Sequence, residues 1–116
     1  MADPDCLFCR IAAGEVPADV VLEDDLVVAF RDVAPKAPTH LLLIPRRHIA
    51  SAADLSGTDA EMLGRLFAVA AGLAGDAGVA EGGYRMVTNV GRGAGQSVAH
   101  LHFHLLGGRS LGWPPG

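Results

Sequence analysis

From His100 to Leu105 the chain alternates imidazole with large apolar side chains, His100-Leu101-His102-Phe103-His104-Leu105. An extended segment sends successive side chains to opposite faces. The run is therefore expected to be a strand over His100 to Leu106, with three imidazoles on one face about 6.6 Å apart and Leu101, Phe103 and Leu105 toward a core. A solvated sheet face rich in histidine is the bland alternative. The regular alternation with large apolar residues weighs against it, because three ionisable groups on one side of a half-buried strand lose solvation unless a ligand uses them.

The rest of the chain supplies partners for such a strand. Leu7, Phe8 and Ile11 have helical spacing, so Cys6 to Ala13 is expected as a short helix ending at Gly14. Asp24-Asp25 between Asp19–Glu23 and Leu26–Arg31 reads as a hairpin turn, giving two strands. His40–Ile44, closed by Pro45, is a third buried strand, preceded by a segment whose Pro35 and Pro38 forbid ladder bonding. Thr58 and Glu61 fit a capping box, and Met62, Leu66, Ala70 and Leu73 recur on one face of a helix predicted from Thr58 to Ala74, with Gly75 placed to end it. Tyr84–Asn89 is the fourth strand and the histidine run the fifth. This order predicts an α+β domain with a five-stranded, mainly antiparallel sheet, one short amino-terminal helix and one longer helix, the helices on one side.

At 116 residues, half of them apolar, the chain can bury one core and is too short for two ordinary domains. The single domain is expected over residues 1–116, with 1–5 disordered. A net charge of -4 lacks the basic footprint of a nucleic-acid binder, and no nucleic-acid partner is expected. The first residues are acidic where a secretory signal would be basic, and the greasiest run, Leu66 to Ala74, is far shorter than the roughly 20 residues of a membrane-spanning helix. A cytoplasmic protein with no membrane partner is expected.

Gly91-Arg92-Gly93-Ala94-Gly95-Gln96-Ser97 precedes the histidine run, and its glycines would let backbone N–H groups approach phosphate oxygens. It is not a dinucleotide fingerprint, since a strand-like run follows where that motif needs a helix. Cys6 and Cys9 form a lone Cys-x-x-Cys pair: metal ligands, redox partners or reduced bystanders. A thioredoxin-type role fits poorly, because no strand precedes the pair.

Asn89-Val90-Gly91, Gly95-Gln96-Ser97-Val98 and His100-Leu101-His102-Phe103-His104-Leu105-Leu106-Gly107-Gly108 together resemble the signature of the histidine-triad (HIT) superfamily. More narrowly they resemble its Hint branch, the histidine triad nucleotide-binding proteins. The likeness extends through Ala37-Pro38-Thr39-His40, Ile44-Pro45-Arg46-Arg47-His48-Ile49, Gly83-Tyr84-Arg85-Met86-Val87 and Trp113-Pro114-Pro115-Gly116, nearly the whole chain from Cys6 onward. His104 stands where the transferase branch carries Gln, which argues against sugar-phosphate nucleotidyl transfer.

The resemblance implies a hydrolase that releases a nucleoside monophosphate, AMP foremost, from a nucleoside 5'-phosphoramidate. His102 would be the nucleophile, forming a nucleotidyl-histidine that water hydrolyses. This agrees with the chemistry of a neutral imidazole at pH 7. His104 would bond phosphate oxygens or handle the leaving-group proton, His40 would support the triad, and Ser97 with the backbone of Gly95, Gln96 and Val98 would hold the phosphate, beside Asn89. By the same carry-over Asp32 accepts the ribose hydroxyls, and Leu7, Phe8, Ile11, Val16, Phe30 and Leu42 form an apolar slot for a purine base. Cys6 and Cys9 resemble the pair of bacterial relatives that binds a structural Zn²⁺ with two histidines, here His48 and His100. Hydrolysis of dinucleoside polyphosphates or adenylates, as in the Fhit branch, and non-catalytic nucleotide binding are the alternatives. A five-stranded sheet in so short a chain leaves edges unpaired, and the Hint relatives form homodimers that send the carboxy-terminal segment, here residues 109–116 with Trp113, toward the partner's active site.

Overall fold

Where a strand carries an unbroken apolar run, both faces of the sheet must be covered, and two such runs, 27–30 and 41–45, organise this molecule. In a computed structural model describing residues 3–116, Val27–Arg31 (β2) and Thr39–Pro45 (β3) pair antiparallel, with Val28 opposite Ile44 and Phe30 opposite Leu42. Val20–Glu23 (β1), Tyr84–Val87 (β4) and Phe103–Gly107 (β5) complete a five-stranded antiparallel sheet in the order β1-β2-β3-β5-β4. The last strand in sequence is thus inserted between β3 and β4, one place in from the β4 edge.

The two helices cover opposite faces. Leu7–Ala12 (α1) sets Phe8 and Ile11 against Val28, Phe30, Leu42 and Ile44, whereas Ala60–Asp76 (α2) sets Leu66, Val69 and Leu73 against Val27, Ala29, Leu41 and Leu43. The expectation of helices on one side is corrected here, and the cause is the continuous apolarity of β2 and β3.

Four boundaries move for local reasons. β5 starts at Phe103 and not at His100. Continuing the β3–β5 register would set Leu101 opposite Pro45, which has no N–H, and Leu101 N–H bonds Ile49 O at 2.6 Å instead. The chain stays extended enough that Leu101 joins Phe103 and Leu105 in the α2-side core, as the alternation requires. The capping box is formed by Ser56 and Asp59, not Thr58 and Glu61, and opens a 3₁₀ turn, Gly57–Asp59, that runs into α2. Asp59 is also paired with Arg47, which explains how a carboxylate this buried is tolerated. Gly75 does not end α2. The helix runs to Asp76, and Gly78 takes the left-handed position at φ +76. Tyr84–Val87 is shorter than the predicted strand, leaving Thr88 and Asn89 beyond it. Asp3–Asp5 form a turn against α1, with Asp3 N–H directed at Cys9 Sγ, and Met1 and Ala2 lie outside the described residues.

Candidate active site

The α1 face of the sheet carries a cleft of about 370 Å³. Leu7, Phe8 and Ile11 from α1, Val16, Phe30 and Leu42 form its apolar walls, with Asp32, Ser97, Val98, His102 and His104 among the remaining lining residues. Pro17, Ala18, Arg31 and Val33 also border it and were not anticipated, because nothing in their spacing marks them. An amphiphilic slot of this kind, apolar with convergent polar groups at one end, suits a ring system carrying a charged substituent.

His102 is oriented by its own neighbourhood. Its Nδ1–H donates to the His100 carbonyl at 2.7 Å, so the lone pair of the neutral ring lies on Nε2. Phe8 meets the ring edge-on at a centroid distance of 5.1 Å, and Thr88 Oγ1 donates to the His102 carbonyl at 2.8 Å. Thr88 was not among the expected residues, since its contribution runs through the main chain and leaves no pattern in sequence.

His104 stands next to it, ring centroids 5.2 Å apart, and is held by a chain of donors. Lys36 N–H donates to His40 Nδ1 at 3.0 Å, which places the proton of neutral His40 on Nε2. That Nε2–H faces His104 Nδ1 at 2.9 Å and the Asp32 carboxylate at 3.4 Å. His104 Nδ1 therefore accepts, and its proton sits on Nε2, an atom without a hydrogen-bond partner among the described residues. Burial, with the neighbouring His102 and His40 adding to it, pushes the His104 pKa down to about 4, and burial also lowers that of His40. Both rings are neutral at pH 7. Asp32, His40 and His104 lie close enough together to hold a cation, but the proton that Lys36 imposes on His40 Nε2 occupies the atom a cation would need. The trio is a hydrogen-bond chain.

A second cluster does have the form of a metal site. Ligand atoms of Cys6, Cys9, His48 and His100 all lie within 4.8 Å of one another. Cys6 Sγ is 3.2 Å from His100 Nδ1, and Cys9 Sγ is 3.4 Å from His48 Nδ1 and 3.5 Å from His100 Nδ1. A tetrahedral zinc ion with ordinary S and N bond lengths has S···N edges of about 3.5 Å. His100 Nε2 is 2.9 Å from the Pro45 carbonyl, which takes its proton and leaves the Nδ1 lone pair toward the cluster. Backbone N–H groups of Asp3 and Cys9 point at the two sulfurs, as thiolates favour. The donor set fits a closed four-coordinate cation.

The HIT domain family profile matches residues 13–111. The chain belongs to the HIT domain family. This HIT domain is 50% identical over 106 residues to the purine nucleoside phosphoramidase of Escherichia coli, covering 91% of this chain and 89% of the relative. It is 51% identical over 112 residues to an uncharacterized HIT-like protein of Synechococcus elongatus, covering 97% of each. Among solved structures, a HIT family hydrolase from Legionella pneumophila superposes with TM-score 0.95 at 54% identity, covering 97% of this chain and 100% of that one.

Not every expected residue of the HIT domain reaches the cleft. Asn89, Gly95, Gln96 and Trp113 are absent from its lining. Gln96 is used within the loop, where Oε1 accepts from Gly91 N and Nε2 donates to Ala50 O and Val98 O. The N–H groups of Gly95 and Gln96 close the 3₁₀ turn Arg92–Ala94 on Arg92 O and Gly91 O. Ser97 and Val98, whose N–H groups have no acceptor among the described residues, are the loop positions that border the cleft. Trp113 is 83% exposed, and Arg85 holds the preceding Gly112 carbonyl at 2.9 Å.

Proposed function

We propose that this HIT domain hydrolyses nucleoside 5'-phosphoramidates to a nucleoside monophosphate, AMP foremost, and an amine. The observation that carries the reading is His102, its Nδ1–H held by the His100 carbonyl and its Nε2 lone pair available at the polar end of an apolar slot. A purine lies between Phe8, Ile11, Phe30 and Leu42, the ribose reaches Asp32, and the α-phosphate meets Ser97 and the Val98 N–H. His102 Nε2 attacks phosphorus. The P–N bond breaks and nitrogen leaves with the electron pair and a proton, for which His104 Nε2–H and the Ser97 hydroxyl are the donors at hand. Water then attacks the nucleotidyl-histidine, restoring the imidazole and releasing the monophosphate. The relative in Escherichia coli supports this choice of substrate class.

The reading extends to the surroundings. One Zn²⁺ held by Cys6, Cys9, His48 and His100 is structural: bound there it ties α1 to the sheet, away from the reacting phosphorus. The protein acts in the cytoplasm as a homodimer, with no nucleic acid or membrane as partner. Unpaired edges at β1 and β4, and a Trp113 that its own chain leaves exposed, support a second copy, expected as twice the chain mass in light scattering. Among the described residues no helix is long and apolar enough to cross a membrane.

Side-by-side turnover of an adenosine phosphoramidate and a diadenosine polyphosphate tests the function. The phosphoramidate is expected to be consumed far faster. Preference for the polyphosphate, or nucleotide binding without turnover of either, would overturn the proposal.

A further inference from the structure

Gly108 and Arg109 follow the last strand and have no part in the chemistry above. Gly108 takes φ +91, and a Cβ placed on it would stand 2.9 Å from Pro38 Cβ. Only glycine lets the chain turn this tightly over the loop between β2 and β3. The turn brings Arg109 across that loop, where Nε and Nη2 both donate to the Lys36 carbonyl, at 3.2 and 2.9 Å, while Nη1 donates to Ser110 O at 2.9 Å. No carboxylate pairs with Arg109 among the described residues. Its fork is committed to main-chain oxygens, a rigid two-point grip that a lysine cannot reproduce.

What the grip holds is the residue that, together with the Asp32 carboxylate 3.4 Å from His40 Nε2, sets a tautomer. Lys36 N–H is the donor on His40 Nδ1, and through it the proton of His40 faces His104. Elsewhere in this loop Ala34 N–H donates to Asp32 Oδ1 and Lys36 Nζ to the Ala34 carbonyl, each at 2.8 Å, and Ala37 is buried, but Arg109 is the group that holds the Lys36 carbonyl, and Pro35 and Pro38 have no N–H to add. We propose that Arg109 is a positioning residue that clamps the Lys36 main chain, so that His40 carries its proton on Nε2 and His104 presents Nε2–H to the cleft. The inference rests on the phosphoramidate hydrolase reading for its kinetic consequence, though not for its structural one.

Released from the clamp, Lys36 N–H moves off His40 Nδ1 and the other His40 tautomer becomes accessible. In that tautomer the lone pair of His40 Nε2 faces His104 Nδ1, which must then carry the proton. His104 Nε2 would turn a lone pair, instead of a donor, toward phosphoryl oxygens. Losing a full donor at such a site lowers turnover by about 100-fold or more, so kcat falls with the share of molecules that lose it, about twofold for an equal mixture of the two tautomers. The apolar slot is untouched, and KM stays within about twofold.

The test is ¹⁵N spectroscopy of the histidine rings in the full-length protein, alongside kinetics with the adenosine phosphoramidate. Wild type should show Nε2–H tautomers at both His40 and His104. Arg109→Ala should show mixed tautomers at both, with kcat reduced in proportion to the Nε2–H population lost, about twofold for an equal mixture, at nearly constant KM. Arg109→Lys, keeping one donor, should fall between them and guards against a folding defect in the alanine variant. Arg65→Ala, which removes an arginine from the surface of α2, should leave spectra and kinetics as in wild type. Unchanged tautomers in Arg109→Ala would overturn the clamp whatever happens to turnover. A wild type that does not cleave phosphoramidates would overturn the function, while the ring spectra still decide the clamp.

Discussion

Each imidazole near the cleft has one ring nitrogen committed to a partner that sets its role. For His102 the partner is the His100 carbonyl, and the His102 carbonyl is in turn fixed by Thr88 Oγ1 at 2.8 Å. Thr88→Val keeps the shape at this position and leaves that carbonyl without its donor. The variant should lose about 1 kcal/mol of stability by chemical denaturation and several-fold in kcat. Unchanged values for both would remove Thr88 from the account. At this scale the sequence was only partly legible. The alternation of histidines with Leu101, Phe103 and Leu105 placed the right side chains on the right faces, because facing depends only on extended backbone. It could not show that His100 and His102 lie outside the ladder, since that follows from Pro45 on another strand. The main-chain partners, Lys36 N–H, Pro45 O and His100 O, were equally hidden, because every residue type offers the same backbone groups.

At the scale of elements, α1 joins two sites in six residues. Cys9, with Cys6 at the cap, faces the cluster with His48 and His100, while Leu7, Phe8 and Ile11 wall the cleft. So short a helix has little stability of its own, and whatever fixes its cap and first turn also fixes the slot. Elemental analysis of protein purified without chelator should find one zinc per chain. Cys6→Ser plus Cys9→Ser should lower the melting temperature by several degrees, since metal binds the folded state alone. Finding no zinc, or an unchanged melting temperature, would contradict the structural role. The pair could be read from Cys-x-x-Cys only with the family resemblance in hand. His48 and His100 are distant in sequence, and only the fold of β3 against β5 brings them together. The helix ends show a similar limit: Ser56 and Thr58 both satisfy a capping pattern, and the Arg47–Asp59 pair favours the earlier one.

For the whole molecule, buried neutral imidazoles make stability depend on pH. The His104 pKa is held at about 4 by burial first and by His102 and His40 next, while in the unfolded chain it returns to about 6.5. Between those values the unfolded state binds more protons than the native state, so stability rises with pH. It is fully present above about 6.5 and is lost as pH falls toward 4, at up to about 1.4 kcal/mol per pH unit for one group. His40 shifts in the same direction, chiefly through burial. The melting temperature should therefore drop between pH 7 and 5, and His104→Gln should show a smaller drop than wild type. An equal drop in the variant would contradict the assignment to His104. The central claim, that His102 attacks phosphorus, is tested most directly by acid-quenching the enzyme during turnover of an adenosine phosphoramidate and mapping the adduct by mass spectrometry. An adenylyl group on His102 is the expected result, absent from His102→Ala, which should bind AMP within about tenfold of wild type while turning nothing over. An adduct on another residue, or full activity in His102→Ala, would contradict it.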